Sequence, residues 1–175
     1  MKRLAILSLA VATALLGMTL PSRAQHDTIM KTDDIVQGLL PKKRTRGLEI
    51  TGANPGAIPD SAAAKVVLKV NFGHNSDELT EQARQQLDAL VGALNRDELQ
   101  QYRFEISGHT TSQGTATYNR ALSQRRADRV VAYLAGQAVN RSRLSPVGKG
   151  FDEPLNPNDP LAPDNRRVEV RTLAP

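Results

Sequence analysis

Cysteine and tryptophan are both absent from the 175 residues, and aromatic side chains make up only 3% of them. Without cysteine there is no disulfide framework, no thiol nucleophile and no residue to carry the acyl chains of a lipoprotein. Stability then has to come from an apolar core. The few tyrosines and phenylalanines do not interleave with basic residues, so the stacking platform that single-stranded nucleic acid requires is missing and nucleic acid is not an expected partner. His26, His74 and His109 are too scattered to form a zinc set. Ser123 has no histidine at helical spacing to activate it, and the glycine-bounded stretch Gly108 to Gly114 lacks the lysine of a phosphate loop. No enzyme activity, metal or cofactor is expected.

Long apolar runs are scarce too. One runs from Leu4 to Leu20 behind Met1, Lys2 and Arg3; Pro21 breaks it, and Ser22-Arg23-Ala24 places small residues around a cleavage point. A basic start, an apolar middle and a small-x-small exit describe a secretory signal peptide, removed after Ala24. The run is a little short for the about 20 apolar residues of a spanning helix. The excess of positive charge shrinks accordingly. The export segment holds three of the 23 basic residues and none of the 18 acids, which leaves a mature charge of +2 and little case for a polyanionic partner.

Residues 25–63 show no sustained period and read as a linker, mostly extended. Ile35-Val36 and Leu39-Leu40 suggest one short amphipathic turn, capped by Thr32 or Asp33 and ended by Pro41. Lys42-Lys43-Arg44-Thr45-Arg46 is a basic knot. From Val66 the pattern sharpens. Val66, Leu68, Val70 and Phe72 alternate as a strand. Thr80 then has the position of an N-cap, and Leu87, Leu90, Val91 and Leu94 recur at helical spacing, predicting a helix over 80–95. The sequence repeats the theme, with Tyr102, Phe104 and Ile106 alternating before a helix over 115–135 that ends at Gly136 as a C-cap glycine. Two tandem strand–helix units imply a right-handed crossover and parallel neighbouring strands. Further strands are predicted over 144–148 and 167–173. Between them Pro154, Pro157, Pro160 and Pro163 recur at every third position, the spacing of polyproline II, in what is read as a stiff surface loop.

The densest chemistry lies in Gly108-His109-Thr110-Thr111-Ser112-Gln113-Gly114 and the helix behind it. A turn of this kind presents free N–H groups at a helix start, where anions are favoured. Asn119, Ser123 and Arg126 follow at i, i+4 and i+7 and are placed on one face. Arg126 offers a planar fork suited to a carboxylate. Spacing alone is compatible with a shallow pocket for a carboxylate-bearing group or with a salt-bridged surface helix. His109 reads as a structural hydrogen-bonding residue.

These residues resemble the signature of the OmpA-like peptidoglycan-binding domain of Gram-negative envelopes. The resemblance rests on Phe72, Ser76 and Leu79, on Gly108, His109, Thr110 and Gly114, and on Tyr118, Asn119, Leu122, Ser123, Arg126, Ala127 and Val130. Gly148, Gly150 and Asn165-Arg166-Arg167-Val168-Glu169 complete it, over about residues 64 to 173. It implies an α/β (α+β) fold of two layers, a mixed sheet of about four strands with two main helices on one face, in a domain over 64–175. It implies a non-enzymatic periplasmic protein associated with the cell wall and outer membrane, with peptidoglycan as partner and outer-membrane or periplasmic proteins reached through 25–63. The family's arginine takes the carboxylate of diaminopimelate and its G-H-T-D acid takes the ammonium. Arg126 matches the arginine, but Thr111 stands where the acid belongs. Losing that charge-assisted bond costs about 1–3 kcal/mol, or about ten- to a hundredfold in affinity. Thr110, Asn119, Leu122, Phe72, Asn75, Asn165 and Arg166 complete the expected ligand set, with Asp77 and Asp164 as the candidate acids to replace the missing one. The alternative is an envelope adaptor that keeps the fold and has lost wall binding.

Overall fold

Helix α1 (Thr32–Leu39) leads into strand β1 (Lys65–Leu68), helix α2 (Glu81–Leu94), strand β2 (Arg103–His109), helix α3 (Ala116–Gly136), and strands β3 (Leu144–Gly150) and β4 (Val168–Leu173). The computed structural model describes residues 29–41, 64–73 and 76–173. The export segment, the basic knot 42–46, His74 and Asn75 lie outside the described residues.

The strands form one mixed sheet in the order β1-β4-β2-β3. Strands β2 and β3 are parallel, joined through α3, while β4 runs antiparallel to both of its neighbours, β1 and β2. The tandem strand–helix units therefore do place β1 and β2 in the same direction, but not side by side: the C-terminal strand inserts between them. Both pairings of β4 are long-range, and the period of its apolar residues carries no information about which strands will flank it.

One face of the sheet is apolar. Val66, Leu68, Phe104, Ile106, Val168 and Val170 are buried there with Leu87, Leu90 and Leu94 of α2 and Val130, Val131 and Leu134 of α3. Thr80 does cap α2, accepting from Ala83 N at 3.2 Å. Helix α3 comes close enough to the sheet that a Cβ on Gly108 would stand 2.4 Å from the Ser123 carbonyl oxygen, and one on Gly148 2.5 Å from Gln124 N. Glycine at these two positions lets the helix backbone rest directly on β2 and β3, which fixes where its next turns point. The opposite face is a ladder of charge: Lys65 and Arg167 pair with Glu169 at 3.0 and 2.7 Å, and Arg171 with Glu105 at 3.0 Å.

Several expectations are corrected. Residues 32–39 are not linker: Ile35 and Leu39 are fully buried in the same core, and Thr172 Oγ1 donates to Leu39 O at 2.6 Å. The N-cap of α1 is Lys31, without a side-chain bond, instead of Thr32 or Asp33. Strand β1 ends at Leu68, and Phe72 forms only an isolated bridge with Leu79. Gly136 is the last residue of α3; the left-handed position beyond it belongs to Ala138, with φ 63°. The proline-spaced segment is a set of turns ending in a short 3-10 turn at Pro163–Asn165, not polyproline II. Buried Asn165 overrides the spacing by accepting from Asn156 N and donating to Asp159 O, both at 2.9 Å.

Candidate functional site

The carboxyl end of β2 runs into the turn Thr110–Thr115, and four bonds hold that turn in shape. Thr110 N donates to Gly150 O at 2.8 Å and Ser112 N to Pro160 O at 3.1 Å, tying it to β3 and to the proline loop. Asn119 Nδ2 donates to Gln113 O at 2.7 Å and to Thr115 O at 3.1 Å. Thr115 caps α3 by accepting from Tyr118 N. Asn119, Leu122 and Arg126 then follow at i, i+3 and i+7 on the face of α3 that looks past this turn.

These elements enclose a cleft of about 500 Å³. Phe72 and Gly73 form one wall; Thr110, Thr111, Gln113 and Gly114 come from the turn, Tyr118, Asn119, Leu122 and Arg126 from α3, and Arg166 from the segment before β4. Seven of the nine expected ligand residues therefore meet in one place: Phe72, Thr110, Thr111, Asn119, Leu122, Arg126 and Arg166. Asn75 lies outside the described residues. Asn165 is not in the cleft; it is fully buried and organises the loop behind it. Ser123 also departs from expectation. It points into the sheet, where its hydroxyl accepts from Gly150 N at 2.9 Å and donates to Arg120 O at 2.9 Å. Gly114 and Tyr118 belong to the motif quoted above and were open to recognition as wall residues; Gly73 and Gln113 carry no such signal.

Arg126 dominates the electrostatics. It is only 6% exposed. Its Nε donates to Ser76 O at 3.0 Å, and its guanidinium carbon sits 4.9 Å from the centre of the Phe72 ring. Neither terminal nitrogen has a hydrogen-bond or carboxylate partner among the described residues. Burial, and then the nearby charge of Arg166, pull its pKa below the usual arginine value. An arginine still keeps its proton, so the cleft holds a positive charge that Asp77 offsets only from a distance and that no carboxylate contacts among the described residues. The acids suggested as substitutes for the missing one are engaged elsewhere: Asp77 pairs with Arg129 at 3.1 Å and Asp164 with Lys69 at 3.0 Å. Thr110 Oγ1 is buried with no partner among the described residues.

His109 lies on the opposite, charged face of the sheet. Its backbone N–H donates to Arg167 O at 3.0 Å. Its two ring nitrogens have no hydrogen-bond partner among the described residues, which corrects the expectation of a side-chain hydrogen-bonding role. Burial and the Arg167 charge lower its pKa to about 4. Glu169, 3.8 Å away, acts in the opposite sense but is already held by Lys65 and Arg167, so the ring stays neutral.

The model of the OmpA family matches residues 71–167, a span that contains the whole cleft. The chain belongs to the OmpA family. Among curated proteins of similar sequence, the peptidoglycan-associated lipoprotein of Pseudomonas aeruginosa is 32% identical over 123 residues, covering 69% of this chain and 71% of that protein. The peptidoglycan-associated lipoprotein of Haemophilus influenzae is 38% identical over 101 residues, covering 57% and 65%. Among solved structures, a MotB-like protein from Desulfovibrio vulgaris aligns with a TM-score of 0.57 at 28% identity, over 69% of this chain and 78% of that one. The peptidoglycan-associated lipoprotein of Burkholderia pseudomallei aligns at 0.51 and 28%, over 59% and 87%. The mixed four-stranded sheet with its helices on one face is the fold expected for this family, with α1 as a third helix.

Proposed function

We propose that this protein is a non-catalytic, non-lipidated peptidoglycan-binding protein of the periplasm, exported by cleavage after Ala24, whose cleft receives the diaminopimelate carboxylate of a stem peptide. The observation that carries the reading is Arg126: a buried guanidinium with both terminal nitrogens unpartnered among the described residues, facing a polar cleft. A buried charge is normally paired, because its desolvation is costly otherwise. An arriving carboxylate supplies the partner and accepts two parallel N–H bonds from the fork. The peptidoglycan association named for the Pseudomonas and Haemophilus relatives supports the choice of polymer. Because Thr111 brings no charge, the grip is weaker than that of a site with an acid there, by about ten- to a hundredfold.

The test is co-sedimentation of the mature protein with purified sacculi. Binding at low salt that is lost on Arg126→Ala, with the variant still folded by circular dichroism, is the expected result. A wild-type protein that stays in the supernatant at low salt refutes the proposal.

A further inference from the structure

The cleft contains two guanidiniums and, among the described residues, no carboxylate. Arg166 lies on its rim, close enough to lower the pKa of Arg126, and its own side chain has no partner among the described residues. The two flanking acids are each tied to another cation. What faces the nitrogen of a bound amino acid is therefore neutral. The Thr111 hydroxyl lines the cleft, and Asn119 has its NH2 bound to two backbone carbonyls, which leaves its side-chain oxygen as an acceptor.

A free amino-acid head fits such a site poorly. Its ammonium sheds water, meets two positive charges and finds only neutral acceptors for three N–H groups. An acylated nitrogen carries no charge and a single N–H, which one acceptor satisfies. Its acyl carbonyl takes a hydrogen bond from a hydroxyl, a donor that Thr111 has and an ionised aspartate lacks. The carboxylate on the same carbon keeps its full attraction to Arg126 and Arg166. The cleft is open and about 500 Å³ in volume, room for the acyl group as well as the head.

We propose that the cleft selects a carboxylate whose neighbouring nitrogen is acylated, and that in the wall this ligand is diaminopimelate whose side-chain amine has been consumed in a cross-link. The inference rests on the reading that the cleft receives the diaminopimelate carboxylate. It makes the protein a reader of cross-linked wall, and Thr111 the residue that sets the preference.

Calorimetric titration of the full mature chain with three muropeptides tests it. The first is a disaccharide tetrapeptide with the diaminopimelate amine free, the second is the same molecule acetylated on that amine, and the third is the acetylated molecule with the neighbouring carboxylate amidated. The acetylated form is expected to bind at least about tenfold more tightly than the free amine, since one unpaired charge is worth that much or more. The amidated form is expected not to bind. Thr111→Asp is expected to reverse the order of the first two, and if that variant fails to fold, the order shown by the native chain decides alone. Equal or tighter binding of the free amine, with the amidated form still inactive, overturns the selectivity and leaves the carboxylate reading standing. No binding of any of the three, or binding indifferent to amidation, overturns the carboxylate reading and this inference with it.

Discussion

Replacing Arg126 with methionine is expected to abolish wall binding while costing the fold no more than about 2 kcal/mol. The loss side is countable. The Nε bond to Ser76 O at 3.0 Å disappears, worth about 1.5–3 kcal/mol as a bond from a charged donor. So does the stacking of the guanidinium on Phe72, worth about 0.5–2 kcal/mol. Ser76 is only half-buried, so water can reach its freed carbonyl. On the gain side, a buried charge that no carboxylate contacts among the described residues is removed, a burden of about 3–5 kcal/mol where such charges have been isolated by deleting one partner of a pair. Methionine retains most of the stem's volume, and its sulfur on the Phe72 ring returns about 0.3–1.5 kcal/mol. The balance lies between about −2 and +4.5 kcal/mol in favour of the variant, centred near +1. Urea unfolding followed by circular dichroism measures it as a shift in midpoint at constant slope, and sacculus co-sedimentation measures the loss of function in the same preparation. A variant destabilised by more than about 2 kcal/mol would refute the reasoning, because Arg126 would then be a structural residue whose charge the fold itself satisfies.

Three other outcomes follow from the same structure. His109 titrates at about 4 when folded and 6.5 otherwise, so the unfolded chain takes up a proton that the native state refuses. Stability is fully present above pH 6.5 and falls as pH drops toward 4, by on the order of 3 kcal/mol; Glu169, whose pKa is lowered by the hydrogen bonds and charges of Lys65 and Arg167 against the effect of burial, adds to the acid loss below its unfolded value of 4.5. His109→Asn should flatten urea-unfolding stability between pH 6.5 and 5, and an NMR titration placing the native ring at or above 6.5 would contradict the account. Leu39→Ala should cost about 2–5 kcal/mol, as a fully buried core leucine does; a change under about 0.5 kcal/mol would mean that α1 is not part of the folded core. Gly108→Ala pushes a Cβ to 2.4 Å from Ser123 O and should cost about 1–3 kcal/mol by lifting α3 off the sheet, with a matching loss of sacculus binding because Asn119 and Arg126 move with the helix.

How far the sequence could be read depended on the range of the interactions. Helices α2 and α3 were legible because their signals are local: apolar residues repeating along one stripe, with a threonine cap at Thr80 and Leu87, Leu90 and Leu94 in the first case. The cleft was legible only in part from spacing, which put Asn119, Ser123 and Arg126 on one face but was equally compatible with a salt-bridged surface helix; the rest of its expected lining, Leu122 included, came from the family resemblance. Ser123 shows the limit of such counting. It sits between Asn119 and Arg126 in sequence, yet the close approach of α3 at Gly108 and Gly148 turns it into the sheet, where it holds Gly150. Helix α1 was misread because eight residues ahead of Pro41 show too little period to stand apart from a linker; it is helical because Ile35, Val36 and Leu39 find the α2 and β1 side of the core. The place of β4 and the bonds that Asn165 makes across the proline loop depend on partners that sequence spacing does not name.

The case for a ligand also rests on how the fold treats its other enclosed arginines, buried Arg167 and half-buried Arg143. Arg167 is 5% exposed and fully occupied: it donates to Glu169 Oε1, to Asn165 O and to Glu153 O. Arg143 has no acid partner among the described residues, yet Nε and both terminal nitrogens donate to the carbonyls of Tyr102, Leu94 and Leu99, at 3.0, 3.1 and 2.6 Å, while its guanidinium lies over Phe104. Two of those carbonyls belong to the end of α2 and the 3-10 turn after it, groups that need donors in any case. The chain thus has two working ways to enclose a guanidinium, with a carboxylate or with a set of carbonyls. Among the described residues Arg126 receives neither beyond the single carbonyl of Ser76. Its stem is packed, its ring contact is made and its position is fixed by α3, so the missing partners are not a sign of a loosely held side chain. They are the arrangement expected under the proposal that a ligand carboxylate completes its coordination.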